Sequence, residues 1–118
     1  MTDLDQHILE RVRNSLGENR LAGAIVYLAR DRVHAGERVR VGDVLIEVPW
    51  EAYIAFVDLE AGANWGHACF YLAIRPDADE VIQVPARMPP FLKAETSLFR
   101  FLWRGPLAPE WAVATGLE

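Results

Sequence analysis

The chain has 118 residues, of which 52% are hydrophobic and 25% charged, and its formal net charge is −5. This length suits a single domain spanning 1–118, because two domains would each have a core too small to be stable. The composition excludes a disordered chain, and the acidic balance argues against a general phosphate-binding surface, so no nucleic-acid partner is expected.

The longest apolar runs, such as LAGAIVYLA at 21–29, are about half of the roughly 20 residues that cross a bilayer, so no membrane partner is expected. The first residues, MTDLDQHILERVRN, lack the basic, apolar and small-residue regions of a signal peptide. The one cysteine, Cys69, permits no internal disulfide. A cytoplasmic location is the simplest reading. Eleven of the twelve basic residues are arginine, Lys93 being the exception, and with the abundant alanine this suggests a GC-rich bacterial source.

Thr2 is placed to cap a helix over about 3–16, and Asp5 completes a capping-box pattern. Leu4, Ile8, Leu9, Val12 and Leu16 form its apolar side, His7 falls on its wet side, and Gly17 supplies a stop. Residues 21–29 fit a helix or a strand. Gly23 and the adjacent Ile25, Val26 and Tyr27 favour a strand.

From Val33 onward the pattern is β. Gly36-Glu37 and Gly42-Asp43 are turn pairs around the alternating Arg38–Val41, and Val44–Val48 runs to Pro49. Tyr53–Asp58 and His67–Arg75 read as strands, the latter turning at Pro76–Asp79 into Val81–Val84. The stretch 85–90 is extended by its prolines. Ser97–Trp103 reads as a last strand, and Trp111 and Val113 dock in a short tail helix. The expected fold class is α+β: a mostly antiparallel sheet or small barrel of about six strands with an N-terminal helix packed on it. The β-rich body covers about 22–103, and the C-terminal tail covers 104–118.

The run HAGERVRVGDVLIEV (34–48) resembles the turn spacing of biotinyl and lipoyl carrier domains. These carry their cofactor on a hairpin lysine, and Lys93 follows Pro89-Pro90-Phe91-Leu92 instead. No cofactor is expected.

Strand alternation sets Phe70, Leu72 and Ile74 on one face, taken as the core face, and His67, Cys69, Tyr71 and Ala73 on the other. The minority catalytic candidates follow: Cys69 as nucleophile, His67 as base, and Asn64 or Asp58 as orienting group, with Glu60 nearby. Nothing here resembles a nucleophile elbow, and a buried filler role explains the cysteine equally. Asp58 and Glu60 read as exposed acids at a strand end. His7, His34, His67 and Cys69 lack the spacing of a metal site, so none is expected.

Charge is polarised: residues 41–86 hold eight acids and one base, and residues 87–104 hold four bases and one acid. In 98–103, Phe99, Phe101 and Trp103 share one side and Leu98, Arg100 and Leu102 the other, and both sides are substantially apolar. With the proline-rich stretch, this points to a contact with a protein partner or a second copy, through Trp65, Arg87, Pro89, Pro90, Phe91, Phe99, Phe101 and Trp103. The preferred function is therefore a small non-catalytic accessory or adaptor protein. A Cys–His thiol enzyme or redox sensor is the first alternative. A small-ligand binder, with a pocket between the sheet and the N-terminal helix lined by Tyr53, Tyr71 and a tryptophan, is the second.

Overall fold

A computed structural model describes residues 1–64, 66–90 and 98–113 of the chain. Its first helix, α1 (Asp3–Leu16), begins where Thr2 Oγ1 accepts the Asp5 N–H at 3.0 Å. It ends where Gly17 takes a φ of 89° and returns its N–H to the Arg13 carbonyl at 2.8 Å. Ile8, Leu9, Val12 and Leu16 are buried, whereas Leu4 is exposed. His7 is half-buried with its Nε2 sealed from solvent, so the wet-side expectation does not hold. A second short helix, α2 (Glu18–Ala22), follows directly and anchors through the buried Leu21. Sequence reading ended the helical region at Gly17 and missed it.

Five strands form one antiparallel sheet: β1 (Ile25–Ala29), β4 (Tyr53–Asp58), β5 (Cys69–Ile74), β6 (Val81–Ala86) and β7 (Phe99–Arg104), ordered β6-β5-β4-β1-β7. Residues 21–29 thus divide between the end of α2 and β1. The other two strands, β2 (Arg38–Val41) and β3 (Val44–Glu47), form a separate hairpin, so the described strands number seven and the sheet is open rather than a barrel.

Both sheet faces are covered. The α1 face holds Val26, Leu28, Ala55, Val57, Leu72 and Ile74 against Ile8, Leu9, Val12 and Leu16. The opposite face holds Tyr27, Ile54, Phe56, Cys69, Tyr71 and Phe99 against Val41, Ile46 and Val48 of the hairpin region. The parity expected of β5 is present, but its second face is core as well, which makes the strand apolar on both sides.

Residues 87–90, the start of the crossover from β6 towards β7, lie on the hairpin face. After β6, whose edge position tolerates Pro85, the Met88 carbonyl accepts the Tyr71 hydroxyl at 2.9 Å, and Pro89 and Pro90 are buried. The hairpin tip holds this crossover: the Asp43 carboxylate accepts from the Arg87 and Met88 N–H groups at 3.3 Å. Gly42, at φ 56°, sits so close that a Cβ would lie 2.5 Å from the Tyr71 hydroxyl and 2.6 Å from the Met88 carbonyl.

A register shift in the β1–β7 ladder pairs Val26 with Trp103 and Tyr27 with Phe101, leaving Leu102 as an extra residue. Parity changes there. Phe99 and Phe101 stay on the hairpin face, but Trp103 moves to the α1 face, with the Arg13 guanidinium 6.0 Å from its ring centre. The expectation that all three aromatics share one side fails because strict alternation cannot register a bulge. No helix among the described residues is long and apolar enough to cross a membrane.

Candidate functional site

Asp58 ends β4 and faces Cys69, the first residue of β5, across the ladder. The connecting loop folds back so that His67, 8% exposed, lies over Asp58, 4% exposed. His67 Nε2 is 2.8 Å from Asp58 Oδ1, and His67 Nδ1 is 2.8 Å from the Asn64 carbonyl oxygen. Asp58 Oδ1 also accepts the Glu60 N–H at 3.1 Å, and the Glu60 carboxylate accepts the Ala68 N–H at 3.1 Å. The Asn64 carbonyl only accepts, so His67 Nδ1 donates to it, and Nε2 and Asp58 Oδ1 share the hydrogen bond between them. Burial raises the Asp58 pKa above its ordinary value, with the hydrogen bond and charge of His67 opposing. Asp58 is therefore not the exposed acid expected at a strand end.

The Cys69 thiol is buried and donates to the Met88 carbonyl at 3.8 Å. Burial, with the Asp43 and Asp58 charges adding to it and Arg87 opposing, pushes its pKa up to about 12. A nucleophile needs the reverse, and a base with a lone pair turned to it. The fold thus joins Asp58, His67 and Asn64, the last through its backbone rather than its amide, and sets Cys69 apart from their hydrogen bonds. Arg87 straps the same corner, with its Nε donating to the Gly66 carbonyl at 2.7 Å. Among the described residues, no three His, Cys, Asp or Glu side chains gather to hold a metal.

Tyr53 and Tyr71 do not share a pocket. Tyr53 packs on the α1 face and under the Arg32 guanidinium at 5.3 Å, while Tyr71 is buried on the hairpin face. A cavity of about 330 Å³ does exist, but on the hairpin side, lined by Val33, Val39, Val41, Ile54, Pro90 and Phe99 among others.

Of the expected contact residues, Pro89, Pro90 and Phe99 are buried in the chain itself, Phe101 and Trp103 are half-buried, and Arg87 is exposed. Trp65 and Phe91 lie outside the described residues. Among the described residues β7 has one ladder partner, β1, and forms an edge of the sheet. Beyond it the chain turns, the Ala108 N–H closing on the Gly105 carbonyl at 3.1 Å while Gly105 and Leu107 donate to the Ala24 and Ala22 carbonyls at 2.8 Å.

No protein-family model, curated protein or solved structure matches this chain.

Two large apolar residues stand exposed beside the ends of this edge, Leu98 at 54% and Leu107 at 77%, and a third, Trp111 at 75%, is exposed over the loop after β4. Trp111 belongs to a short 3-10 turn, Glu110–Ala112, rather than docking as a buried tail helix. It overhangs Gly62, where a Cβ would lie 2.9 Å from its ring. Sequence reading did not single out Leu107. Its one signal is a large apolar residue placed directly after a Gly-Pro break.

Proposed function

We propose that this chain is a small, non-catalytic accessory protein of the bacterial cytoplasm that acts by protein–protein contact at the β7 edge. The observation that carries the reading is the β7 edge, which among the described residues pairs only with β1 and is flanked by the exposed Leu98 and Leu107. Natural edges are blunted by proline, lysine or outward charge. Phe99–Arg104 contains no proline or lysine, and its arginines turn back onto the chain. Arg100 pairs with Asp5, and Arg104 Nη1 donates to the Ala108 carbonyl at 2.5 Å. The opposite edge, β6, carries Pro85 within the strand.

The thiol reading draws no support from the corner, where both imidazole nitrogens are engaged by oxygens of Asp58 and Asn64 and the neighbouring carboxylates disfavour a thiolate. The test uses immobilised wild-type, Cys69→Ser and Leu98→Glu/Leu107→Glu chains. Wild type and Cys69→Ser are expected to retain the same proteins, and the double glutamate variant to lose them. Retention that depends on Cys69 and is indifferent to both leucines would overturn the reading.

A further inference from the structure

We propose that the corner between β4 and β5 is a proton-held clasp: a single proton shared by His67 and Asp58 keeps the loop closed on the residues after β6, and its loss above neutral pH loosens that contact. The inference goes beyond the contact reading and does not depend on it.

The proton follows from the hydrogen bonds. The Asn64 backbone carbonyl only accepts, so a neutral His67 ring must carry its hydrogen on Nδ1, 2.8 Å from that oxygen. Nε2 then turns a lone pair towards Asp58 Oδ1, also 2.8 Å away. A lone pair and an ionised carboxylate oxygen repel at that distance unless a proton lies between them. The folded pair therefore holds one proton more than a neutral imidazole and an ionised carboxylate held apart. The count is the same whether that proton sits on Nε2 or on Oδ1. Both side chains are buried, so the pair keeps the proton rather than stand as a bare charge. Burial raises the Asp58 pKa in the same sense.

The groups facing the pair do not replace the proton. Glu60 in the loop and Asp43 at the hairpin tip are acids, Cys69 on β5 is a buried thiol, and Arg87 after β6 is the opposing base. Once the proton is gone, the carboxylates of Asp58, Glu60 and Asp43 stand against the Arg87 guanidinium. Arg87 also holds the loop. Its Nε donates to the Gly66 carbonyl at 2.7 Å, and its own carbonyl accepts the Gly66 N–H at 3.2 Å. Gly66 directly precedes His67, so an imidazole pushed away from Asp58 pulls on both bonds.

The direction with pH is fixed by proton counts. An unfolded histidine gives up its second proton near pH 6.5, flagged here as the usual value of about 6.5. From the carboxylate range up to that value, folded and unfolded chains bind equal numbers of protons at this pair. Above it the folded chain binds one more, so the pair's contribution to stability is lost as pH rises, until the folded pair itself releases the proton.

Urea denaturation at steps from about pH 6 to about pH 9 compares wild type with His67→Gln and Asp58→Asn, whose neutral amides have no shared proton to lose. Relative to either variant, the wild-type unfolding constant is expected to rise by up to about tenfold per pH unit. Wild type alone supplies a second measurement: refolding at about pH 8 in weak buffer is expected to take up about one proton per chain. Amide NMR of the native chain reads the clasp itself. The Gly66 and Ala68 signals are expected to move together with rising pH in wild type and to stay fixed in the variants. Unfolding constants that run parallel in all three proteins overturn the inference, as does refolding without proton uptake. Uptake with unmoved Gly66 and Ala68 signals overturns it as well, because the loop would not respond to the proton.

Discussion

His67 stands two residues before Cys69 in the chain, yet its Nε2 points to Asp58, 2.8 Å away. The cause is local. Cys69 is held in the ladder opposite Asp58, whereas His67 lies before the strand begins, in a loop free to fold back over the carboxylate. The pair then closes the β4–β5 connection, with Glu60 and Ala68 completing the hydrogen bonds around it.

The thiol of Cys69 is accordingly expected to be inert in the folded protein. Burial and two carboxylate charges push its pKa up to about 12, so the thiolate is scarce at any ordinary pH. Alkylation by iodoacetamide is expected to be negligible at pH 8 in the native chain. In denaturant it is expected to proceed at the rate of an ordinary cysteine. A native rate that climbs near the usual thiol pKa, about 8.5, would contradict this.

Removing His67 leaves Asp58 buried without its hydrogen-bond partner. His67→Ala is expected to lower stability by about 3 kcal/mol, the usual scale for breaking one side of a buried pair. Asp58→Ala/His67→Ala is expected to be less destabilised than the two single losses combined, because the double variant leaves neither group buried without its partner. Urea midpoints of the four proteins measure the coupling, and strict additivity would show that the contact stabilises nothing.

Gly42 and Gly36 both have positive φ, at 56° and 79°, but their surroundings differ. A Cβ at Gly36 meets nothing within 4 Å, whereas one at Gly42 meets the Tyr71 hydroxyl and the Met88 carbonyl. Gly36→Ala is expected to cost about 1 kcal/mol for the left-handed backbone alone. Gly42→Ala is expected to cost about 2 kcal/mol more, because the hairpin tip must lift from the crossover. Hydrogen exchange at the Arg87 and Met88 amides, which Asp43 holds, is expected to accelerate only in Gly42→Ala.

Much of this architecture was legible because it is set by neighbouring residues. The Thr2 cap, the Gly17 stop, the Gly42-Asp43 turn and the apolar strand Tyr53–Asp58 each depend on a few consecutive side chains. What escaped depends on distant partners. The short helix α2 has too few residues to show a period and is held by Leu21 in the core. The bulge at Leu102 appears only when β7 is set against β1. The prolines at 89 and 90 read as an extended arm, but they are buried in the chain itself, beside a hairpin more than forty residues earlier. At the corner, Asp58, His67 and Asn64 were recognisable as neighbours. The direction of the imidazole was not, because it depends on the path of the loop.

Asp5 on α1 and Arg100 on β7 tie the first turn of the helix to the open edge strand, with a second contact between Arg100 Nη1 and Asp5 Oδ2 at 3.4 Å. The hydrogen bond from Arg100 is the largest influence on Asp5 and holds its pKa below the ordinary value of 3.8. The sign follows. Between the folded and unfolded pKa values the unfolded chain binds more protons, so stability rises with pH across that interval. The contribution is fully present above the unfolded value and is lost as pH falls through the folded one. Asp5→Asn is expected to cost about 1–2 kcal/mol at pH 7, the scale of a hydrogen bond to a charged group. The gap between wild type and Asp5→Asn is expected to stay constant from about pH 5 upward and to shrink below about pH 4. Urea denaturation at stepped pH measures it. A gap that persists undiminished in acid would mean that Asp5 acts through packing and not through its charge.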